Sequence, residues 1–135
     1  MSAADIAEIR ESFEFFDDWE DKYRFIIDLG KSLPDMPDSA KQEENLVRGC
    51  QSQVWLTAEF DADDRLHLSL DSDAHIVRGL IAIVLAAYDG LERSAIAGYD
   101  IEGLFEELAL LKHLSPTRGN GLKAMIGRIR ELAVA

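Results

Sequence analysis

The side chain with the clearest capacity for covalent chemistry is the thiol of Cys50, the only cysteine in a chain of 135 residues. It lies in the run Arg48-Gly49-Cys50-Gln51-Ser52, and the glycine permits a sharp backbone turn. A thiolate in an accessible turn is a nucleophile, whereas a lone cysteine is also often a buried, inert apolar residue. The glycine and the polar neighbours predict a thiol at a loop tip and argue against deep burial, while the choice between a nucleophile and an inert residue stays open at this point.

The histidines are weaker candidates for chemistry. His67 alternates with leucines on a predicted strand, His75 lies in the first turn of a predicted helix, and His113 lies near the end of another. A cysteine-dependent hydrolase would need one of them within hydrogen-bond reach of Cys50, and that alternative stays open here. No group of His, Asp and Glu has the spacing of a metal site, and one cysteine cannot supply the roughly four ligands of an iron–sulfur cluster. We therefore expect no metal site and no iron–sulfur cluster on this chain.

Composition limits the classes of partner. The chain is 47% hydrophobic and 30% charged, which is typical of a globular domain, and its length fits one domain over residues 1–135. With 14 Lys and Arg against 26 Asp and Glu, the net charge is −12, which disfavours nucleic acid and membrane surfaces as partners. A lone cysteine and an N-terminus without a signal-peptide pattern indicate a cytoplasmic protein.

Two hydrophobic periods run along the sequence. Apolar residues alternate with polar ones over residues 54–60 and 66–70, and the acidic residues 61–64 between them form a turn, so a hairpin is predicted. Residues 46–48 give a further short extended segment. Elsewhere the period is helical, so the fold class expected is α+β, a small antiparallel sheet of about three strands packed with helices. The predicted helices cover residues 6–16, 19–30, 74–88, 92–97 and 101–111, and a last one follows residue 115.

Local signals indicate where several of these helices begin and end. Gly30 is placed to end the second helix. The run Asp71-Ser72-Asp73 supplies side chains that cap the helix after the hairpin. Ser115-Pro116 is a strong start signal for the last helix, because serine is a good cap and proline suits the first helical position.

Four blocks of the sequence together resemble the SufE family. The most specific block is RGCQSQVW at residues 48–55, which is similar to the signature around that family's active cysteine. The resemblance covers nearly the whole chain in order. Its other blocks are WEDKY with the following residues to position 34, LDSDA running on to position 82, and LSPTRGNGL at residues 114–122.

The resemblance implies a SufE/IscU-like fold and a role in iron–sulfur cluster assembly. Cys50 would accept persulfide sulfur from a SufS-type, PLP-dependent cysteine desulfurase, stimulate that enzyme, and hand the sulfur to a SufBCD-type cluster scaffold. Asp73 and Arg118 match positions near the cysteine loop. The chain itself would then be an accessory protein rather than an enzyme, with no cofactor of its own, since PLP would be held by the partner. The alternatives are a paralogue that serves another desulfurase and acceptor, and an independent cysteine-dependent hydrolase.

Overall fold

The computed structural model describes residues 5–49 and 52–134. Its architecture is α+β, as the sequence predicts, with a two-stranded antiparallel sheet and helices packed around it. In chain order the described elements are α1 (Ile6–Phe15), α2 (Trp19–Lys31), β1 (Val54–Phe60), β2 (Leu66–Ser72), α3 (His75–Tyr88), α4 (Arg93–Ile96), α5 (Ile101–Glu107), α6 (Leu110–His113) and α7 (Pro116–Val134).

The sheet is a hairpin rather than three strands. β1 and β2 pair in register from Val54↔Ser72 to Phe60↔Leu66. The expected strand at residues 46–48 is reduced to one bridge, between Leu46 and Trp55. A 3-10 turn ends at residue 45 and Gly49 has φ +94°, so too few extended residues remain between them to build a strand.

α3 forms the centre of the fold, with the hairpin on one side and α2 on another. Most of its side chains are buried, including Leu80, Ile81, Ile83 and Val84. Gly30 is predicted to end α2, and α2 ends one residue later, at Lys31. The predicted end is therefore correct to within one residue, but Gly30 has no positive φ typical of a glycine stop and instead lies against the backbone of α3 at Gly79.

The last helix starts where the sequence predicts. The Ser115 side-chain oxygen accepts a hydrogen bond from the Arg118 backbone N–H at 3.3 Å, and Pro116 is the first helical residue. The apolar face of α7 is buried in the common core through Leu122, Met125, Ile126, Ile129 and Ala133. No described helix is both long and apolar enough to cross a membrane.

The start of α3 corrects another prediction. Its N-cap position is Ala74, which has no capping side chain, and Ser72 ends β2 instead. Asp71 does not cap the helix either, because its side chain is buried with only 1% exposed. Asp71, Ser72 and Asp73 therefore have separate structural roles, and those of Asp71 and Asp73 concern the candidate site.

Candidate functional site

Cys50 and its neighbour Gln51 lie outside the described residues, so the reactive thiol stays a prediction. The residues on either side of them are described. Gly49 has φ +94°, a conformation that favours glycine, and a Cβ placed on it would lie 3.3 Å from the Cβ of Ala124 in α7. The chain therefore enters the cysteine loop, defined here as residues 48–53, against the middle of the last helix.

Asp73 fixes the other end of the cysteine loop. Its side-chain oxygen Oδ1 accepts a hydrogen bond from the Gln53 N–H at 3.1 Å, and its own N–H donates to the Gln53 carbonyl at 3.3 Å. These two bonds extend the hairpin pairing beyond Val54. The sequence placed Asp73 near the loop as a helix cap, whereas the structure brings it there through direct contact with loop backbone.

A cavity of about 300 Å³ lies between Ser52, α3 and the first turns of α7. Its buried walls are apolar, which gives a sheltered volume beside the cysteine loop. Its exposed residues are polar, so the mouth can hydrogen-bond to an incoming group. The walls are formed by Val54, Val77, Leu80, Leu122 and Met125, and the polar residues are Ser52, Ser115, Thr117 and Arg118.

Arg118 shares this cavity with Ser52 of the cysteine loop. Its guanidinium Nη1 donates a hydrogen bond to the Tyr23 hydroxyl on α2 at 3.1 Å. No carboxylate among the described residues pairs with it. A hydroxyl partner does not neutralise a guanidinium as a carboxylate would, so the positive charge of Arg118 can act on another group. Sequence reasoning missed Tyr23, because nothing local marks a tyrosine on an amphipathic helix as the partner of a residue far along the chain.

Asp71, which the sequence predicts as a helix-capping residue, is instead a buried carboxylate near the end of β2. Asp71 accepts hydrogen bonds from the N–H groups of Met36 and Ser72, at 3.1 and 2.8 Å, and pairs with Arg78. Burial raises the pKa of Asp71, but these hydrogen bonds and the charges of Arg78 and Lys41 outweigh it and hold the pKa below its usual value. The pair ties the segment before the cysteine loop to the end of β2. One signal could have revealed it: an arginine in the otherwise apolar α3 requires a buried partner.

The three histidines differ in their relation to the loop. His67 binds Asp61 (Nε2 to Oδ2, 2.8 Å) at the turn end of the hairpin, and this hydrogen bond raises the pKa of His67. That turn is a seven-residue strand away from the cysteine loop, roughly 20 Å at 3.3 Å per residue. His113 stacks on Trp19 with ring centroids 4.1 Å apart. His75 is exposed two residues after Asp73, so it is the histidine whose segment adjoins the loop.

The contact between Asp73 and Gln53 makes a prediction about thiol access. Replacing Asp73 with alanine removes an acceptor worth about 1 kcal/mol, so loop opening should become about fivefold more frequent. We expect the rate of Cys50 alkylation by iodoacetamide to rise by that factor, and Asp73→Arg to act in the same direction. Mass spectrometry of the alkylated chain measures the rate.

The matched control for this prediction is Asp100→Ala. Asp100 Oδ1 accepts from the Gly103 N–H at 3.0 Å and caps α5, so its loss has a similar energetic cost elsewhere in the fold. Alkylation of Cys50 should be unchanged in that variant. Equal rates in Asp73→Ala and the unmodified chain would mean that Asp73 does not restrain the loop.

Comparison with known proteins gives the same assignment as the residue pattern. Residues 7–133 match the family described as SufE, Fe-S metabolism associated domain. Uncharacterized SufE-like proteins of Rhizobium etli and Rhizobium meliloti are 47% and 50% identical, covering 96% and 93% of this chain and 90% and 92% of theirs. The solution structure of a hypothetical protein from Thermus thermophilus has the same fold, with a TM-score of 0.75 at 18% identity, covering 96% of this chain and 93% of that one. The chain belongs to the SufE family, whose domain is associated with iron–sulfur metabolism.

Proposed function

We propose that this chain accepts sulfur on Cys50 from a PLP-dependent cysteine desulfurase and relays it to the scaffold on which iron–sulfur clusters are assembled. The observation that carries the proposal is the setting of the cysteine loop. Its first end lies against α7 at Gly49, its last end is held by Asp73, and an apolar cavity with Arg118 at its mouth lies beside it. Family membership supports the same role.

The chemistry proposed is a thiol exchange. The Cys50 thiolate attacks the outer sulfur of the persulfide on the desulfurase cysteine, a new sulfur–sulfur bond forms, and the desulfurase cysteine leaves as a thiolate. Sulfur moves and no net oxidation occurs. A second exchange of the same kind transfers the sulfur to an acceptor thiol on a SufBCD-type scaffold. Because the first exchange frees the desulfurase cysteine for another turnover, it also accounts for stimulation of the enzyme.

The polar and apolar parts of the cavity suit the two demands of this chemistry. A persulfide needs shelter from oxidants between transfers, and an apolar wall supplies it. Such shelter disfavours the anionic form of the sulfur, whereas a cation close by favours it. Arg118 is the cation on the cavity, and Asp73 controls how readily the loop opens toward a partner. PLP has no part on this chain, since carbon–sulfur cleavage occurs on the desulfurase.

Arg118→Ala should slow sulfur acceptance about tenfold when the desulfurase is limiting, because one charge-assisted hydrogen bond to the sulfur anion is lost. Arg118→Lys should restore part of the rate if charge alone acts, and little if a planar bidentate contact is needed. The measurement is the initial rate at which the intact mass of the chain gains one sulfur atom.

Tyr23→Phe serves as the companion variant, since it removes the hydroxyl that holds the guanidinium and leaves the ring in place. Its rate should fall between those of Arg118→Ala and the unmodified chain. Thermal stability should change little in all three variants, because Arg118 is exposed and Tyr23→Phe keeps the packed ring. A rate for Arg118→Ala equal to that of the unmodified chain would reduce Arg118 to an ordinary arginine in the first turn of a helix.

A further inference from the structure

The last helix has the opposite charge from the rest of the chain. α7 contains Arg118, Lys123, Arg128 and Arg130 against Glu131, a net charge of +3. The whole chain carries −12, so the residues outside this helix carry −15. Positive charges concentrated on one helix of an acidic protein produce a local electrostatic potential that differs from that of the rest of the surface.

Three of these four cations are available to a partner. Arg130 is committed to Glu102 by two hydrogen bonds of 2.7 and 2.8 Å. Arg118, Lys123 and Arg128 are exposed, and none of them forms an ion pair with a described residue. Most other cations in the described chain are neutralised by Asp or Glu, so this helix concentrates positive charge that the chain itself leaves unpaired.

Three basic residues lie close in sequence to the contact between the cysteine loop and α7. Gly49 approaches Ala124, so Arg48 and Lys123 are each the chain neighbour of a residue in that contact. Arg128 follows Ala124 by one helical turn and therefore lies on the same side of α7. Arg48 is also exposed and without an ion-pair partner among the described residues.

We infer that the basic strip, defined as Arg48, Arg118, Lys123 and Arg128, is the docking surface for the sulfur donor. The inference rests on the proposed function and adds the chemistry of the partner: a desulfurase whose face around the donor cysteine carries carboxylates. Complementary charge would steer the two cysteines together, raise the association rate and exclude basic partners. The strip lies next to the loop that must receive the sulfur, so docking and transfer share one face.

The charge distribution also favours a compact acidic patch over an extended polyanion. Nucleic acid presents phosphates along its whole length, and the −15 outside α7 would repel them at both ends of the strip. A protein surface can place a few carboxylates opposite the strip and basic or neutral residues elsewhere. The expected partner is therefore a protein with a localised negative region.

The test compares charge reversals inside and outside the strip. Lys123→Glu and Arg128→Glu are made singly, and Lys112→Glu is the control, since Lys112 lies exposed on α6 with no ion-pair partner among the described residues and changes the net charge equally. Each chain is titrated by calorimetry with the PLP-loaded cysteine desulfurase of the same organism, without cysteine, at low and high salt. Transfer is measured separately as the gain of one sulfur atom at saturating desulfurase.

The expected result is a Kd raised roughly fivefold by each strip variant at low salt, a smaller difference at high salt, and a change below about twofold for Lys112→Glu. Transfer at saturation should equal that of the unmodified chain. Unchanged Kd values with normal transfer would overturn the docking surface and leave the proposed function standing. No sulfur transfer despite strip-dependent binding would overturn the function instead. Equal weakening by Lys112→Glu, or strip-dependent binding of a short DNA duplex with no effect on the desulfurase, would also count against the surface.

Discussion

Replacing Cys50 with serine is expected to abolish sulfur acceptance completely. The chain has no other cysteine, so the variant keeps no thiol able to attack a persulfide, and a serine hydroxyl is a far weaker nucleophile at neutral pH. Incubation with a cysteine desulfurase, PLP and cysteine should add the mass of one sulfur atom to the unmodified chain, reversibly by reductant, and nothing to Cys50→Ser. Stimulation of desulfurase turnover should disappear in the same variant.

A displaced thiol provides the matched control. Cys50→Ser combined with Ser69→Cys keeps one cysteine per chain but moves it to an exposed position in the middle of β2, away from the cysteine loop. This variant should gain sulfur only at the rate of unspecific exchange. If Cys50→Ser stimulates the desulfurase as the unmodified chain does, the acceptor role is wrong. If the displaced thiol accepts sulfur as fast as Cys50, the loop has no special part in the transfer.

Local signals in the sequence predicted the elements that position the site. Alternation of apolar residues located the hairpin, and the acidic turn at 61–64 was correct, with Asp64 in the left-handed region at φ +60°. Ser115-Pro116 located the start of α7 because capping and proline geometry depend only on neighbouring residues. Features that depend only on residues adjacent in sequence can therefore be predicted before the fold is known.

The errors concern residues whose role is set by distant parts of the chain. Asp71 follows the polar positions of its strand in sequence, yet it is buried because Arg78 and the backbone of Met36 satisfy its carboxylate. Gly30 marks the end of α2 to within one residue, yet its close approach to Gly79 of α3 has no local signature. The contact between Asp73 and the cysteine loop was expected, but the capping geometry that motivated it was not found.

The same reasoning applies to the candidate site. The cysteine loop and Arg118 were predicted from residue type and family resemblance, and the cavity that Arg118 shares with Ser52 appears only when α7 packs beside the hairpin. Tyr23 has no local signature, because a hydrogen bond between residues 23 and 118 depends on how α2 and α7 are placed. The net charge of −12 describes the whole chain and does not reveal the basic strip on it.

The crossing of α2 and α3 gives the largest stability effect that we expect. A Cβ on Gly79 would lie 2.0 Å from the carbonyl oxygen of Ile26, and one on Gly30 would lie 2.7 Å from the backbone nitrogen of Gly79. Both obstacles are backbone atoms, so no side chain can rotate away and the helices must separate. Gly79→Ala should therefore lower the free energy of unfolding by about 3 kcal/mol or more, in spite of alanine's better helix propensity.

Gly127→Ala is the matched control, since Gly127 is an exposed residue within α7 and a Cβ there would meet nothing within 4 Å. With no steric cost, the gain in helix propensity should raise the free energy of unfolding by roughly 0.5–1 kcal/mol. Urea denaturation followed by circular dichroism measures both variants, with equal m values as the check that the unfolded states match. If glycine-to-alanine substitution lowers the free energy of unfolding in α3 and raises it in α7, the close crossing of α2 and α3 is the cause of the loss. A Gly79→Ala chain as stable as the unmodified one would mean that α2 and α3 can move apart at little cost.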